Sequence, residues 1–282
     1  MIKIFRNQND YVLQNSERTI RVATFSFNDL FRSVDPAAYA RGFFDQPETH
    51  DVDAATLENH AWLAPIADQE VWAAGVTYFR SRSARMEESE QSGGDRFYDM
   101  VYEAERPELF FKATGARSRG HLAKVCIRSD SSWDVPEPEL TLAINQSGKI
   151  FGYTIGNDMS SRSIEGDNPL YLPQAKIYRG SCAIGPCLTI NEDEDVINKE
   201  TKIKIVINRG GKEMFAGQTE VSQIKRSFEE LAQFLFQDNE FSNGAYLMTG
   251  TGVVPESDFT LQSGDQIQIE IDGLGKLTNT VE

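Results

Sequence analysis

Short stretches of alternating or continuous apolar residues recur along the chain, and they predict a β-rich protein. Between 201 and 208 the isoleucines at 203, 205 and 207 share one face of a predicted strand, and Gly210–Gly211 then predicts a hairpin turn. Further strands are predicted at 3–6, 11–13, 20–25, 71–78, 108–112, 125–128, 183–188 and, as the last strand, 267–271.

Helical periodicity is less common. Apolar residues at 228, 231, 232, 235 and 236 predict a helix with one apolar face, and Ser227 with Glu230 predicts a capping box at its start. A weaker amphipathic pattern covers 28–42, and 159–165 predicts a short helix or a turn. Two prolines in 168–176 predict irregular chain. Residues 1–70 are interpreted as a small packing or dimerisation domain, and residues 71–282 as the main domain.

The most informative stretch is a predicted β-hairpin with carboxylates at its open end. In the run 136–139 each proline precedes a glutamate, and residues two apart in a strand share a face, so Glu137 and Glu139 are expected to project together. With the turn centred between 147 and 148, Glu137 lies opposite Asp158 and Glu139 lies opposite Gly156. Glu137, Glu139 and Asp158 are therefore expected to converge.

Convergent carboxylates repel one another unless a cation lies between them. A hard divalent ion with oxygen ligands meets this need, and Mg²⁺ fits best because it accepts a few carboxylates and leaves positions for substrate oxygens. The alternative for these residues alone is an acidic, solvated end of a hairpin.

Composition and charge narrow the class of protein. The chain has 282 residues with 40% hydrophobic and 25% charged residues, as in ordinary globular proteins. A net charge of −15 argues against binding nucleic acid, which needs a basic surface. The three cysteines lack metal-ligand or disulfide spacing and predict free thiols in a reducing cytoplasm. We expect no signal peptide and no membrane span, since no apolar run has the required length.

Short motifs follow one another in order at 75–78, 106–112, 136–140, 156–162, 174–176, 185–186 and 249–251. As an ordered set over residues 70–282, they resemble the fumarylacetoacetate hydrolase superfamily. This resemblance implies an α+β, β-rich fold, the mixed β-sandwich roll of the family's C-terminal domain. It also implies Mg²⁺ or Mn²⁺ bound by Glu137, Glu139 and Asp158, and a homo-oligomer, either a dimer or a tetramer.

One departure from the family pattern bears on the reaction. The hydrolases carry a histidine three residues after the tyrosine of the first motif, and Ser81 stands at that position here. Without this base, water-driven carbon–carbon cleavage loses its usual agent. Ser81 together with the sequence of 168–178 resembles the branch of 2-keto-3-deoxy-D-arabinonate dehydratases. That resemblance implies dehydration of a 2-keto-3-deoxy pentonate to 2,5-dioxopentanoate in pentose catabolism.

Proton transfer in such a reaction is assigned to Glu108 and Lys176, with the acid and base roles left open. A lysine near a divalent cation can have a lowered pKa and act as a base. A glutamate whose pKa is raised by burial or neighbouring carboxylates can protonate a leaving hydroxyl. The alternatives are a structural counter-ion for Lys176 and an ordinary surface acid for Glu108.

Further residues are expected to bind the substrate. Arg162 is interpreted as an anchor for a carboxylate, with a surface ion pair as its alternative. Ser81 and Arg82 are expected to bind the polar tail of the sugar acid, unless they lie on a solvated helix face. Thr251 is expected to hydrogen-bond the substrate carboxylate, and Tyr171 to form a pocket wall; a plain turn and plain packing are the alternatives.

Two other functions remain open from the sequence. One is an acylpyruvate or fumarylacetoacetate-type hydrolase, which cleaves a carbon–carbon bond with a water activated by Glu108 or the metal. The other is a non-catalytic, metal-loaded protein that binds a keto acid.

Overall fold

Residues 1–47, 49–57, 60–78, 100–192 and 196–282 are described by a computed structural model. Strands dominate within these residues, as the apolar pattern predicts. The strands are β1 (Ile2–Arg6), β2 (Tyr11–Gln14), β3 (Thr19–Val22), β4 (His50–Asp51), β5 (Glu70–Gly75), β6 (Glu108–Thr114), β7 (Lys124–Val125), β8 (Asp134–Ile144), β9 (Ile150–Ser161), β10 (Cys182–Ile190), β11 (Lys202–Arg209), β12 (Lys212–Glu220), β13 (Ala245–Met248), β14 (Gln266–Ile271) and β15 (Gly275–Val281).

The helices are short. Those that lie wholly within the described residues are α1 (Phe27–Arg32), α2 (Pro36–Arg41), α3 (Arg162–Asp167), α4 (Leu172–Lys176) and α5 (Phe228–Phe236). Single 3-10 turns lie at Ala54–Leu57, Gly115–Arg117, Pro169–Tyr171 and Val221–Gln223. Among the described residues, none of the helices is both long and apolar enough to cross a membrane.

The described strands form two sheets. The large sheet has the order β4-β3-β2-β1-β10-β9-β8-β13-β5-β6, and the small sheet has the order β12-β11-β14-β15-β7. Leu140, Ile155 and Met159 of the large sheet belong to one apolar cluster with Ile205 and Ile269 of the small sheet. This shared core joins the sheets into the β-rich, mixed sandwich that the resemblance implies, and the predicted fold class is confirmed.

The N-terminal strands continue the large sheet rather than standing apart from it. Ile2 of β1 pairs with Ile190 of β10, and Ile4 pairs with Leu188, in antiparallel register. The division of the chain at residue 70 stays a prediction, but the segment before it adds β1–β4 to the sheet that carries the central hairpin.

Several predicted elements differ in detail from those observed. The strand predicted at 71–78 ends at Gly75, because Val76 adopts a φ of 52°, which a strand does not accommodate. Of the strand predicted at 125–128, only Val125 lies in an observed strand, β7, and β15 follows the strand predicted to be the last. The amphipathic pattern at 28–42 forms two helices, since Pro36 starts α2.

The prediction of irregular chain across 168–176 was wrong in its second half. Pro173 lies within the first turn of α4, where a missing backbone N–H leaves no hydrogen bond unmade. The capping box of α5 is half formed: the Ser227 hydroxyl accepts the Glu230 N–H with 3.1 Å between the heavy atoms. The Glu230 carboxylate instead accepts from Arg226 at 2.6 Å.

Candidate active site

The hairpin of β8 and β9 brings the predicted carboxylates together. Glu137 pairs with Asp158 and Glu139 pairs with Gly156, so the predicted register is confirmed. One ligand oxygen from each of Glu137, Glu139 and Asp158 lies within 4.8 Å of the others, and all three residues are buried. The alternative of a solvated acidic hairpin end is therefore excluded.

The prolines of β8 are tolerated because of their place in the sheet. Pro136 and Pro138 pair with Met159 and Asn157 of β9, whereas β13 joins the other side of β8 only from Thr141 onward. A residue without an N–H costs no ladder hydrogen bond where the neighbouring strand is missing. The carboxylates thus lie beside the point where β8 gains its second neighbour.

Lys176, at the end of α4, points its ammonium into the carboxylate cluster. Lys176 Nζ lies 2.8 Å from Glu137 Oε2 and 3.0 Å from Asp158 Oδ2, and it also donates to the Ser160 hydroxyl. The side chain is fully buried, and Glu165 Oε1 lies 3.4 Å from the ammonium. This placement suits both a counter-ion and a proton-transfer group.

Arg162 begins α3 and faces the same cluster. Arg162 Nη2 and Nε donate to Glu137 Oε1 at 2.7 and 3.1 Å, and the side chain is buried. A surface ion pair, the alternative reading of Arg162, is excluded by this burial. The guanidinium fixes Glu137 in the conformation that reaches the cluster.

Two buried charged residues of the site, Lys112 and Glu165, were not identified from the sequence. Lys112 of β6 forms an ion pair with Asp158 and donates to the carbonyls of Met159 and Lys176 at 3.0 and 2.6 Å. Glu165 of α3 lies beside Arg162 and Lys176. The sequence pattern marks Lys112 only as a lysine at the end of a predicted apolar strand. No sequence pattern marks Glu165 as a buried residue of the site.

The electrostatics of the cluster favour a divalent cation. Burial, followed by the charges of Asp158 and Glu137, raises the pKa of Glu139 well above its ordinary value. Burial also disfavours the charge of Asp158, but the charges of Lys112 and Lys176 outweigh it and lower the pKa of that carboxyl. Glu139 is thus the carboxylate whose charge is least compensated. Three converging carboxylate oxygens form the hard donor set that Mg²⁺ prefers.

Glu108 lies at the edge of the site, opposite Gly75. The two residues pair across β5 and β6, and a Cβ atom at position 75 would overlap the Glu108 carboxylate. Gly75 lines the narrow cavity that also holds the metal-ligand candidates. Glu108 is half-buried, so the prediction that it is a proton-transfer residue has a geometric basis, although its role stays a prediction.

The other residues predicted to bind the substrate differ in their position relative to the cavity. Thr251 lines the cavity, but its hydroxyl donates to the Val253 carbonyl at 3.1 Å. Tyr171 is 44% exposed and is not among the described residues that line the cavity. Ser81 and Arg82 lie outside the described residues.

The histidines lie elsewhere in the described structure. His50 is exposed in β4, and the His60 ring packs 4.1 Å from the Trp62 ring, measured between centroids. His121 Nδ1 accepts the Thr278 N–H at 3.1 Å, beside β15. None of the described residues lining the cavity is a histidine.

Two proteins of similar sequence are dehydratases by name. The "Probable 2-keto-3-deoxyxylonate dehydratase" of Haloferax volcanii is 43% identical over 279 residues, which cover 98% of this chain and 93% of that protein. The "2-dehydro-3-deoxy-D-arabinonate dehydratase" of Saccharolobus solfataricus is 42% identical over 220 residues, covering 77% and 73% of the two chains.

A solved structure is similar over the full length of the chain. It is described as 2-keto-3-deoxy-D-arabinonate dehydratase complexed with magnesium and 2,5-dioxopentanoate, with 32% identity and a TM-score of 0.82. The alignment covers 100% of this chain and 98% of that chain. The family model for the fumarylacetoacetate (FAA) hydrolase C-terminal domain matches residues 100–282. The chain therefore belongs to the fumarylacetoacetate hydrolase family.

Proposed function

We propose that this protein is a metal-dependent hydro-lyase that dehydrates a 2-keto-3-deoxy pentonate, 2-keto-3-deoxy-D-arabinonate, to 2,5-dioxopentanoate. The observation that carries the proposal is the buried cluster of Glu137, Glu139 and Asp158 with Lys176 inside it. Its support from relatives is the identity of 42–43% to two dehydratases that act on sugar acids of this kind.

We assign the metal site to Glu137, Glu139 and Asp158, with Mg²⁺ as the ion and Mn²⁺ as a substitute. The oxygen donors and the poorly compensated charge of Glu139 suit such an ion. When bound, a divalent cation would act as a Lewis acid and polarise a carbonyl oxygen of the keto acid.

The two proton transfers of the dehydration are assigned to Glu108 and Lys176. One group takes a proton from C3, and the other protonates the departing 4-hydroxyl, so that water leaves and a C3–C4 double bond forms. Proton shifts from C5 and its hydroxyl to C3 and C4 then give the aldehyde. Glu108 is held against Gly75 at the edge of the cavity, and Lys176 is held by Glu137 and Asp158 within it.

Binding of the substrate is assigned to Arg162 and Thr251, which line the cavity, and on sequence grounds to Tyr171. Ser81 and Arg82 are assigned to the polar tail of the sugar acid on sequence grounds alone. We also propose a homo-oligomer and a cytoplasmic location, the latter because all three cysteines are buried and free.

The proposal is tested by offering the magnesium-loaded protein two substrates in parallel, 2-keto-3-deoxy-D-arabinonate and an acylpyruvate. NMR of the products distinguishes dehydration from carbon–carbon cleavage. We expect 2,5-dioxopentanoate from the first substrate and at most slow turnover of the second. Efficient cleavage of the acylpyruvate without dehydration would assign the chain to the hydrolases instead.

A further inference from the structure

Glu165 is a buried carboxylate that the proposed mechanism does not use. Its side chain is fully buried on α3, one helical turn after Arg162. Glu165 Oε2 lies 3.6 Å from Arg162 Nε, and Glu165 Oε1 lies 3.4 Å from Lys176 Nζ. A carboxylate in this position joins the two cations that approach Glu137 from different helices.

These contacts matter because Lys176 and a divalent cation compete for the same oxygens. The ammonium of Lys176 forms its shorter ion pairs with Glu137 and Asp158, both assigned to the metal. A divalent ion bound by those carboxylates would weaken their attraction for the Lys176 ammonium. Glu165 offers that ammonium a carboxylate that is not a proposed metal ligand, and thereby limits its repulsion from the ion.

The formal charges of the buried cluster support the same conclusion. Among the described residues, the cluster contains four buried carboxylates and three buried cations, so it has one excess negative charge. Without Glu165 the buried carboxylates and cations would be equal in number, and a divalent ion would enter a cluster with no excess of negative charge. The charged residues are Glu137, Glu139, Asp158 and Glu165, facing Lys112, Arg162 and Lys176.

We propose that Glu165 is a positioning residue of the active site, whose carboxylate holds the Lys176 ammonium and the Arg162 guanidinium in place when Glu137 and Asp158 bind the divalent cation. This inference rests on the proposed function, because it needs the metal at those carboxylates. It extends that function by adding a residue that acts through Lys176 and Arg162.

The test is calorimetric measurement of Mg²⁺ affinity, without substrate, in the full-length protein. Glu165→Gln keeps the volume and removes the charge, and we expect Mg²⁺ to bind about tenfold more weakly. Asp265→Asn is the matched control, because Asp265 is also a fully buried carboxylate bound to an arginine, Arg209, and lies outside the cavity. We expect this control to lower the melting temperature and leave Mg²⁺ affinity unchanged.

A double-mutant cycle separates positioning from a general effect of charge. In a Lys176→Met background, the effect of Glu165→Gln on Mg²⁺ affinity should shrink to about threefold or less. An undiminished effect would overturn the proposal, since Glu165 would then act without Lys176. If Glu165→Gln does not fold, Glu165→Asp replaces it, with a smaller loss of affinity expected because the shorter side chain retracts from the ammonium.

This experiment distinguishes failure of the proposed metal site from failure of the inference about Glu165. A wild-type protein that binds no Mg²⁺ would overturn the metal site of the proposed function and the inference with it. A wild-type protein that binds Mg²⁺, with folded Glu165→Gln within twofold of its affinity, would overturn the inference alone. A lower melting temperature with unchanged Mg²⁺ affinity would assign Glu165 a purely structural role.

Discussion

The backbone N–H of Gly250 donates to Glu139 Oε2 with 2.6 Å between the heavy atoms, across a gap of more than a hundred residues in the chain. Gly250 has a φ of 92°, and a Cβ atom there would overlap the Thr77 hydroxyl oxygen. The glycine therefore lets the backbone approach close enough to orient Glu139, the carboxylate that no described cation contacts within ion-pair distance.

Glu139→Gln is expected to abolish Mg²⁺ binding and activity together while the fold survives. The amide keeps the size of the side chain and an oxygen for the Gly250 N–H, but it removes a charge that burial and the neighbouring Asp158 and Glu137 disfavour. The melting temperature without metal should therefore be equal to or higher than that of the wild type. Calorimetry, thermal unfolding and a dehydration assay check these outcomes; full activity in this variant would refute the metal assignment.

Glu108→Gln is expected to lower kcat by about 10²- to 10⁴-fold, the usual contribution of a group that transfers protons. Its Mg²⁺ affinity should stay near the wild-type value, because Glu108 is not assigned to the metal. Steady-state kinetics and calorimetry on the same preparation provide the two numbers. Wild-type kcat in this variant would make Glu108 an ordinary surface acid.

Gly75→Ala moves the same carboxylate without changing its charge. The new methyl group overlaps the Glu108 side chain, so kcat should fall in this variant as well. Gly42→Ala is the matched control, because its Cβ atom would meet only ordinary contacts at 3.5 Å and its backbone is helical. A Gly75→Ala protein as active as the control would show that the position of Glu108 is unimportant.

Lys112→Met is expected to destabilise the protein strongly. It removes a buried ammonium that pairs with Asp158 and leaves the carbonyls of Met159 and Lys176 without this donor. Loss of one partner of a buried ion pair costs about 3 kcal/mol or more, which corresponds to a fall of roughly 6 °C or more in the melting temperature. Lys149→Met, at the exposed hairpin turn, should change it little. Equal melting temperatures in both variants would contradict the role of Lys112.

The cysteines should be unreactive in the folded protein. Burial raises the pKa of the Cys182 thiol to about 12 and that of Cys187 to about 11, and burial also raises the pKa of Cys126. A raised thiol pKa means that the reactive thiolate is scarce at pH 8. A thiol reagent such as DTNB should react slowly with native protein and with three thiols after denaturation. Rapid reaction of the native protein would contradict this burial.

The register of the β8–β9 hairpin could be predicted from the sequence except near its turn. Placing the turn centre between 147 and 148 predicts that Glu137 faces Asp158, and this is observed. Near the turn, however, Ile144 pairs with Ile150, one residue out of that register, and an irregularity between Ala143 and Ile144 restores it. Proline spacing and the apolar runs on both sides carried the prediction, whereas a single-residue bulge leaves no signal in those patterns.

The burial and the ionic partners of Lys112 and Glu165 could not be predicted from the sequence. Lys112 reaches the carbonyl of Met159 across 47 residues of chain, and such contacts depend on how the sheet brings β6 near β9. Glu165 lies on a helix too short for a periodic pattern to mark its buried face. Local pattern reveals strands, caps and the carboxylate pair, but a buried charge is recognised only when its distant partners are known.

The proposed dehydration can be measured as formation of 2,5-dioxopentanoate from 2-keto-3-deoxy-D-arabinonate, coupled to NADP⁺ reduction by an added semialdehyde dehydrogenase. Magnesium-loaded protein should give steady product formation, EDTA treatment should abolish it, and excess Mg²⁺ should restore it. Absence of product from fully loaded, folded protein would contradict the proposed reaction, and product formation that EDTA does not reduce would contradict its dependence on a metal.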